Sequence, residues 1–269
     1  MIASIFWDPS PFIFDFPIPL LGRPLLWYGF LFALGFFCAY WVLLWGLTQE
    51  HTKKEAKRLA EKLTFYVILG TVIGARLGDL LFYQEWTLLF RNPSLIFKVW
   101  EGGLASHGGA AGILVALYLF SRKEKKISWL HLIDLIALAT GVVCGFIRIG
   151  NFINQEILGK ITNVPWAVVF GHPADGSAPA PRHPVQLYES LYYFLLFFFL
   201  IYLWRKYPSI RQEGKLCGIL LIFVFTFRFF IEFLKEESSV LFAPNAFLDM
   251  GQYLSIPFIV LGVFLLLRK

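Results

Sequence analysis

The sequence predicts an all-α integral membrane protein of about seven transmembrane helices. Its N-terminus is expected outside and its C-terminus in the cytoplasm, with a small extracytoplasmic cap between the fourth and fifth helices. Three observations carry that prediction. Of 269 residues, 58% are hydrophobic and only 16% charged, and the mean hydropathy is +0.65, far from the soluble mix of about 45–50% apolar and about 25% charged residues. A water-soluble globule cannot hide so much apolar surface, and a disordered chain does not contain it. Apolar runs near the roughly 20 residues that cross a bilayer recur along the chain. Finally, lysine and arginine alternate in density from one intervening segment to the next.

Taken in order, residues 1–24 read as an extracytoplasmic lead-in. MIASIFWDPSPFIFDFPIPLLGRP has no basic start, carries Asp8 and Asp15 and is broken by prolines, which suits an extended or interfacial stretch and not a signal peptide. Helices are expected over 25–47, 63–83, 102–120, 130–149, 185–204, 216–234 and 248–267. The first contains no charged residue, whereas the third is weakest at its start, where EGGLASHGGAAG is too rich in glycine for an ordinary helix. TQEHTKKEAKRLAEK, QEWTLLFRNPSLIFKVWE, SRKEKKISW, RKYPSIRQEGK and KEESSVLFAPNAF read as loops. Residues 150–184, with prolines at 165, 173, 179, 181 and 184 and a β-like core PWAVVF, form the cap. The whole chain, 1–269, reads as a single polytopic membrane domain.

The loops after helices 1, 3 and 5 and the C-terminal tail carry 5, 4, 4 and 2 basic residues, while the N-terminal segment and the loops after helices 2, 4 and 6 carry 1, 2, 2 and 1. By the positive-inside rule the first set is cytoplasmic. The net charge of +6 is therefore a topology signal, and not the footprint of a nucleic-acid partner. Arg76, Arg148 and Arg228 are left inside expected helices. A charge at membrane depth costs about 2.5–3.5 kcal/mol on insertion scales and persists when it is paired or lines a polar cavity.

Arg76 with Asp79, and Arg228 with Glu232, are spaced i,i+3 and i,i+4, so each pair can meet on one helix face. Either pair is a self-neutralised structural device or part of a cavity. Arg148 has no acidic residue one turn before it. Its planar donor fork suits a phosphate, and lipid phosphate is the anion of a bilayer; the alternative is a helix-end arginine snorkelling to the interface. His107, among Gly102, Gly103, Gly108, Gly109 and Gly112, is either a core histidine or a functional one beside a broken or closely packed helix. Ser106 lacks a GxSxG elbow. Cys38, Cys144 and Cys217 read as small buried hydrophobes, and His172 and His183 have no ligand spacing, so neither a metal nor a cofactor is expected.

Taken together, LWYG at 26–29, GARLGDLLFY at 74–83, GGLASHGG at 102–109, RIGNFINQEILG at 148–159, PWAVVF at 165–170, PRHPVQLYE at 181–189 and RFFIEF at 228–233 resemble the prolipoprotein diacylglyceryl transferase family nearly end to end. The chain departs from that pattern at Ile147, where the family usually has glycine, and at Val224, where it often has tyrosine. The resemblance implies an enzyme of the cell inner membrane with its active site toward the outer leaflet. Such an enzyme moves the sn-1,2-diacylglyceryl group of phosphatidylglycerol to the lipobox cysteine of a prolipoprotein signal peptide, with glycerol 1-phosphate released. It also implies that Arg148 and Arg228 handle phosphate and that His107 is a general base. Tyr28, Asn151, Asn154, Glu156 and Gly159 then shape the site, with Glu232 placed to hold the Arg228 fork. A transporter or flippase for an anionic lipid, and an intramembrane hydrolase, are the rival classes.

Overall fold

The computed structural model describes residues 5–14, 16–17, 24–83, 92, 94, 105–211, 214–236 and 248–268. Among them are β1 (Ile5–Trp7), α1 (Trp27–Thr48), α2 (Lys53–Phe82), α3 (Ser106–Lys123), α4 (Trp129–Ile153), β2 (Val168–Phe170), β3 (Pro181–Arg182), α5 (Val185–Lys206), α6 (Lys215–Ile231) and α7 (Met250–Leu267). Six of these seven helices are long and apolar enough to cross a membrane; α3, 18 residues opening on SHGG, is the other. The helical character expected from the apolar runs is present throughout. Close packing divides the chain into two units, Met1–Val42 with Ala137–Lys269, and Leu43–Ile136.

In the Leu43–Ile136 unit, α2 starts ten residues before its expected beginning, inside the segment read as a loop. Lys53–Lys62 is rich in Lys, Glu, Ala, Leu and Arg, all good helix formers. Thr52 caps it by accepting a hydrogen bond from Glu55 N at 3.4 Å. Ala56, Leu59, Ala60 and Leu63 form its buried stripe. The charge that hides these turns from a hydropathy window faces outward. Arg58 and Lys62 both bind Glu124, just beyond α3, with Arg58 Nη1 at 3.0 Å. Together they hold the Glu124 carboxyl down at about 2.

The glycines of α2 and α3 face each other. A Cβ on Gly78 would lie 2.7 Å from Gly108 Cα, and one on Gly112 would lie 2.9 Å from Gly74 Cα. Helix α3 runs unbroken from Ser106, so of the two roles expected for the glycines around His107, Gly108 and Gly112 serve close backbone packing. Gly102 and Gly103 lie outside the described residues. Buried Arg76 meets Asp79 at 3.7 Å, forming the self-neutralised pair that the spacing permits.

In the other unit the expected extended lead-in contains a true strand. β1 pairs in parallel with β2, Ile5 opposite Val168 and Trp7 opposite Phe170, and β2 pairs antiparallel with β3. Phe152, Leu158, Val168 and Phe170 form the cap core, against which Trp7 packs, its Nε1 donating to Phe152 O at 3.1 Å. Helix α4 continues to Ile153, past its expected end at 149, so the first residues assigned to the cap are its last turn. Gly141 and Gly145 admit α5, a Cβ on Gly145 lying 2.7 Å from the Phe194 ring. Tyr192 stacks on Phe227 at 3.8 Å to join α5 to α6, and Phe225 on Phe258 at 4.3 Å to join α6 to α7. Leu191, Leu195 and Phe198 point outward from α5, an apolar face suited to lipid.

Candidate functional site

The last two turns of α4 supply Arg148 and Asn151. Arg148 Nε lies 3.1 Å from Glu189 Oε2, and its Nη1 donates to Asn151 Oδ1 at 3.2 Å. The helix then breaks into Asn154–Gly159, where Gln155 and Ile157 take positive φ of 55° and 54°. Such a conformation is costly for a β-branched residue such as Ile157. It is held from several directions. Gln186 Nε2 donates to Glu156 O at 2.6 Å, Gln155 Nε2 to Asp8 Oδ1 at 3.1 Å, and His172 N to Gln155 Oε1 at 2.8 Å. The bend turns Glu156 back toward α4. Its two carboxylate oxygens accept from Asn151 Nδ2 at 3.0 Å and Asn154 Nδ2 at 2.9 Å.

Arg148, Asn151, Glu156 and Asn154 therefore form one continuous chain of polar contacts. Tyr28 joins it from α1, its phenol facing Asn151 within the fields of Glu156 and Arg148. Its ring lies so close to Gly150 that a Cβ there would meet Cδ2 at 2.8 Å. Gly159 is required sterically, since a Cβ on it would run into the backbone carbonyl of His183. Its own carbonyl accepts from Arg182 Nη1 at 3.1 Å.

Arg228 lies on the last turn of α6. The expected Arg228–Glu232 pair is absent among the described residues. The α-helix ends at Ile231 and tightens into a 3-10 turn over Glu232–Leu234, yet Glu232 N still donates to Arg228 O, so the i,i+4 register is kept and only the side chains part. Glu232 instead meets Lys235 Nζ at 3.4 Å and lies against Gly251 at the start of α7. Arg228 Nε has no hydrogen-bond partner among the described residues. The buried Tyr193 on α5 lies within electrostatic reach of both Arg148 and Arg228.

His107 belongs to the other unit, on the exposed first turn of α3, and makes no hydrogen bond or ion pair among the described residues. The three cysteines are half-buried, less enclosed than expected. On the cap, His172 Nδ1 and Asp8 Oδ1 are 2.6 Å apart. That contact, followed by the one from Gln155, holds the Asp8 carboxyl below the ordinary aspartate range. Among the described residues no group of three His, Cys, Asp or Glu side chains offers a metal site.

Two members of the network escaped the sequence reading as site residues. Glu189 is completely buried between Arg148 and Lys235; its signal was an acidic residue inside an apolar run. Lys235 had no such signal, being one basic residue in an apparent loop. Only the pairing of that loop with Leu158–Lys160 brings it inside.

A family model described as prolipoprotein diacylglyceryl transferase matches residues 17–268. Proteins named phosphatidylglycerol--prolipoprotein diacylglyceryl transferase are among the relatives. One from Protochlamydia amoebophila is 48% identical over 210 residues, covering 76% of this chain and 55% of that protein, so the match spans about half of its length. One from Bacteroides fragilis is 40% identical over 98% of this chain and 95% of its own. One from Chloroherpeton thalassium is 43% identical over 99% and 95%.

Proposed function

The chain belongs to the prolipoprotein diacylglyceryl transferase family, and on that premise we propose that it transfers the sn-1,2-diacylglyceryl group of phosphatidylglycerol to the lipobox cysteine of prolipoproteins. The product is a thioether and the leaving group is glycerol 1-phosphate, which makes this the first step of lipoprotein maturation. The observation that carries the reading is a half-buried arginine held by Glu189 and Asn151, with a second arginine near the same region whose Nε lacks a partner among the described residues. Such donors suit one phosphate anion.

In the reaction the cysteine S–H gives up its proton and the sulfur attacks the glyceryl carbon bearing the phosphate. The carbon–oxygen bond breaks, and its electron pair leaves with the phosphate ester. Negative charge grows on the departing group, where preorganised donors act most strongly; removing one such donor commonly costs about 10²–10³ in rate. Arg148 and Arg228 supply them. Asn151 fixes one edge of the Arg148 fork, Glu156 fixes Asn151 and Asn154 fixes Glu156; Tyr28 and Gly159 complete the walls. A thiol of pKa about 8.5 is only a few per cent ionised at neutral pH, and His107 is the base that takes its proton.

The enzyme spans the inner membrane seven times, with the N-terminus outside and the site toward the outer leaflet. Strand pairing supports the count, because β1 precedes α1 and β2 follows α4, yet they share a sheet. Both must then lie on one side of the membrane, so an even number of crossings separates them. Helices α1, α2 and α4 make three, and α3 makes the fourth. Its 18 residues span about 27 Å at 1.5 Å per residue.

The test is purified protein with phosphatidylglycerol and a lipobox peptide. Thioether-linked peptide supports the transferase. Free diacylglycerol without modified peptide would point to a hydrolase, and no product of either kind would favour lipid transport.

A further inference from the structure

Glu189 has a fully buried side chain, yet it serves two cations, Arg148 Nε at 3.1 Å from Oε2 and Lys235 Nζ at 2.9 Å from Oε1. We propose that Lys235 is a positioning residue for the lipid phosphate: by occupying one oxygen of Glu189 it limits Arg148 to a one-sided contact and leaves the outer edge of the guanidinium open to the anion. The inference rests on the reading of Arg148 as a phosphate-binding arginine.

Carboxylate and guanidinium pair most strongly as a two-pronged fork. Freed of Lys235, Glu189 presents both oxygens to Arg148, and the resulting fork competes with the lipid for the same donors. The observed contact has one prong, and Nη1 turns away to Asn151 at 3.2 Å. The lysine is held in place by backbone as well as by charge. Lys160 N donates to Leu234 O at 2.8 Å, Glu236 N to Leu158 O at 3.0 Å, and Lys235 N to Glu232 O at 3.1 Å. These bonds bury an ammonium whose side chain is only 9% exposed, an expensive placement unless it is compensated.

The test follows thioether formation at varied phosphatidylglycerol concentration, beginning with the unmodified protein. If that makes no product, the transferase reading itself fails; if it does, the variants decide the role of Lys235. Lys235→Met is expected to raise KM for phosphatidylglycerol about 10- to 100-fold with kcat changed less than about threefold, and Lys235→Arg to stay within about threefold of the parent. The decisive variant is Glu189→Gln with Lys235→Met. A neutral glutamine cannot hold the Arg148 fork as a carboxylate does, so KM should return to within about threefold of the parent value. A double variant no better than Lys235→Met would overturn the proposal, as would a Lys235→Met KM within twofold of the parent. If Lys235→Met does not accumulate in membranes, the double variant decides alone, and a KM more than about tenfold above the parent overturns it.

Discussion

Replacing Arg148 by lysine separates a guanidinium that binds substrate from one that only anchors a helix end. Arg148 makes two directed contacts from different nitrogens, 3.1 Å to Glu189 and 3.2 Å to Asn151, and keeps further donors for the lipid. A lysine has one nitrogen at a single point, so it can hold the carboxylate or the phosphate but cannot brace against Asn151 while doing so. Each hydrogen bond to a charged group is worth about 1.5–3 kcal/mol, and the substitution loses one bracing contact and one contact to the phosphate. The expected loss is about 3–6 kcal/mol of transition-state stabilisation, or roughly 10²- to 10⁴-fold in kcat/KM at about 1.4 kcal/mol per tenfold. Arg148→Ala should abolish transfer while the protein still inserts. The assay is initial-rate thioether formation with protein level measured in the membrane fraction. A lysine variant within threefold of the parent would refute the reasoning and leave a snorkelling arginine as the explanation.

Other outcomes follow from the same structure. His107→Gln should lower kcat about 10²- to 10⁴-fold at neutral pH with KM for phosphatidylglycerol little changed. Raising the pH toward the thiol pKa of about 8.5 should recover much of the rate; equal loss at all pH values would remove His107 as the base. Gly159→Ala must displace either the loop or the His183 carbonyl, costing about 1–3 kcal/mol of stability together with activity, and an unchanged thermal midpoint would contradict the close approach. For Glu124 the folded carboxyl is held at about 2 by Arg58 first and Lys62 next, against an ordinary value of 4.5. Its contribution is therefore present above pH 4.5 and lost as the pH falls toward 2, so the difference in melting temperature between parent and Glu124→Gln should shrink across that window. Replacing Cys38, Cys144 and Cys217 together should leave transfer intact, and a folded but inactive triple variant would implicate one of them.

Helices that are apolar along their whole length were legible, and α1 and α5 begin within two residues of their expected starts. The first turns of α2 were not, because hydropathy is blind to an amphipathic helix whose outer face is lysine and arginine; the Thr52–Glu55 capping pattern was the signal there. In the site, Arg148, Asn151, Asn154 and Glu156 lie within nine residues, and their mutual contacts follow from one helix end and one bend. Glu189 and Lys235 come from distant elements, and their meeting depends on backbone pairing between Leu158–Lys160 and the end of α6, which no local spacing encodes. The Arg228–Glu232 expectation failed for a related reason. The helical register reaches Glu232, whose N donates to Arg228 O, but the carboxylate turns to Lys235 at 3.4 Å, a residue beyond the end of the α-helix.

The small sheet also sets a schedule. Trp7 donates to a carbonyl 145 residues further along the chain, and β1 has no strand partner until β2 has been made. At synthesis rates of about 5–20 residues per second, the first strand waits about 8–32 seconds, exposed, while the intervening helices enter the bilayer. Ile5 and Phe6 remain largely exposed even in the finished fold. During that interval β1 is an unpaired apolar segment that must not aggregate. The strained bend carrying Glu156 gains its Asp8 tether only when that wait ends, before α5 and α6, which carry Glu189 and Arg228, have been made.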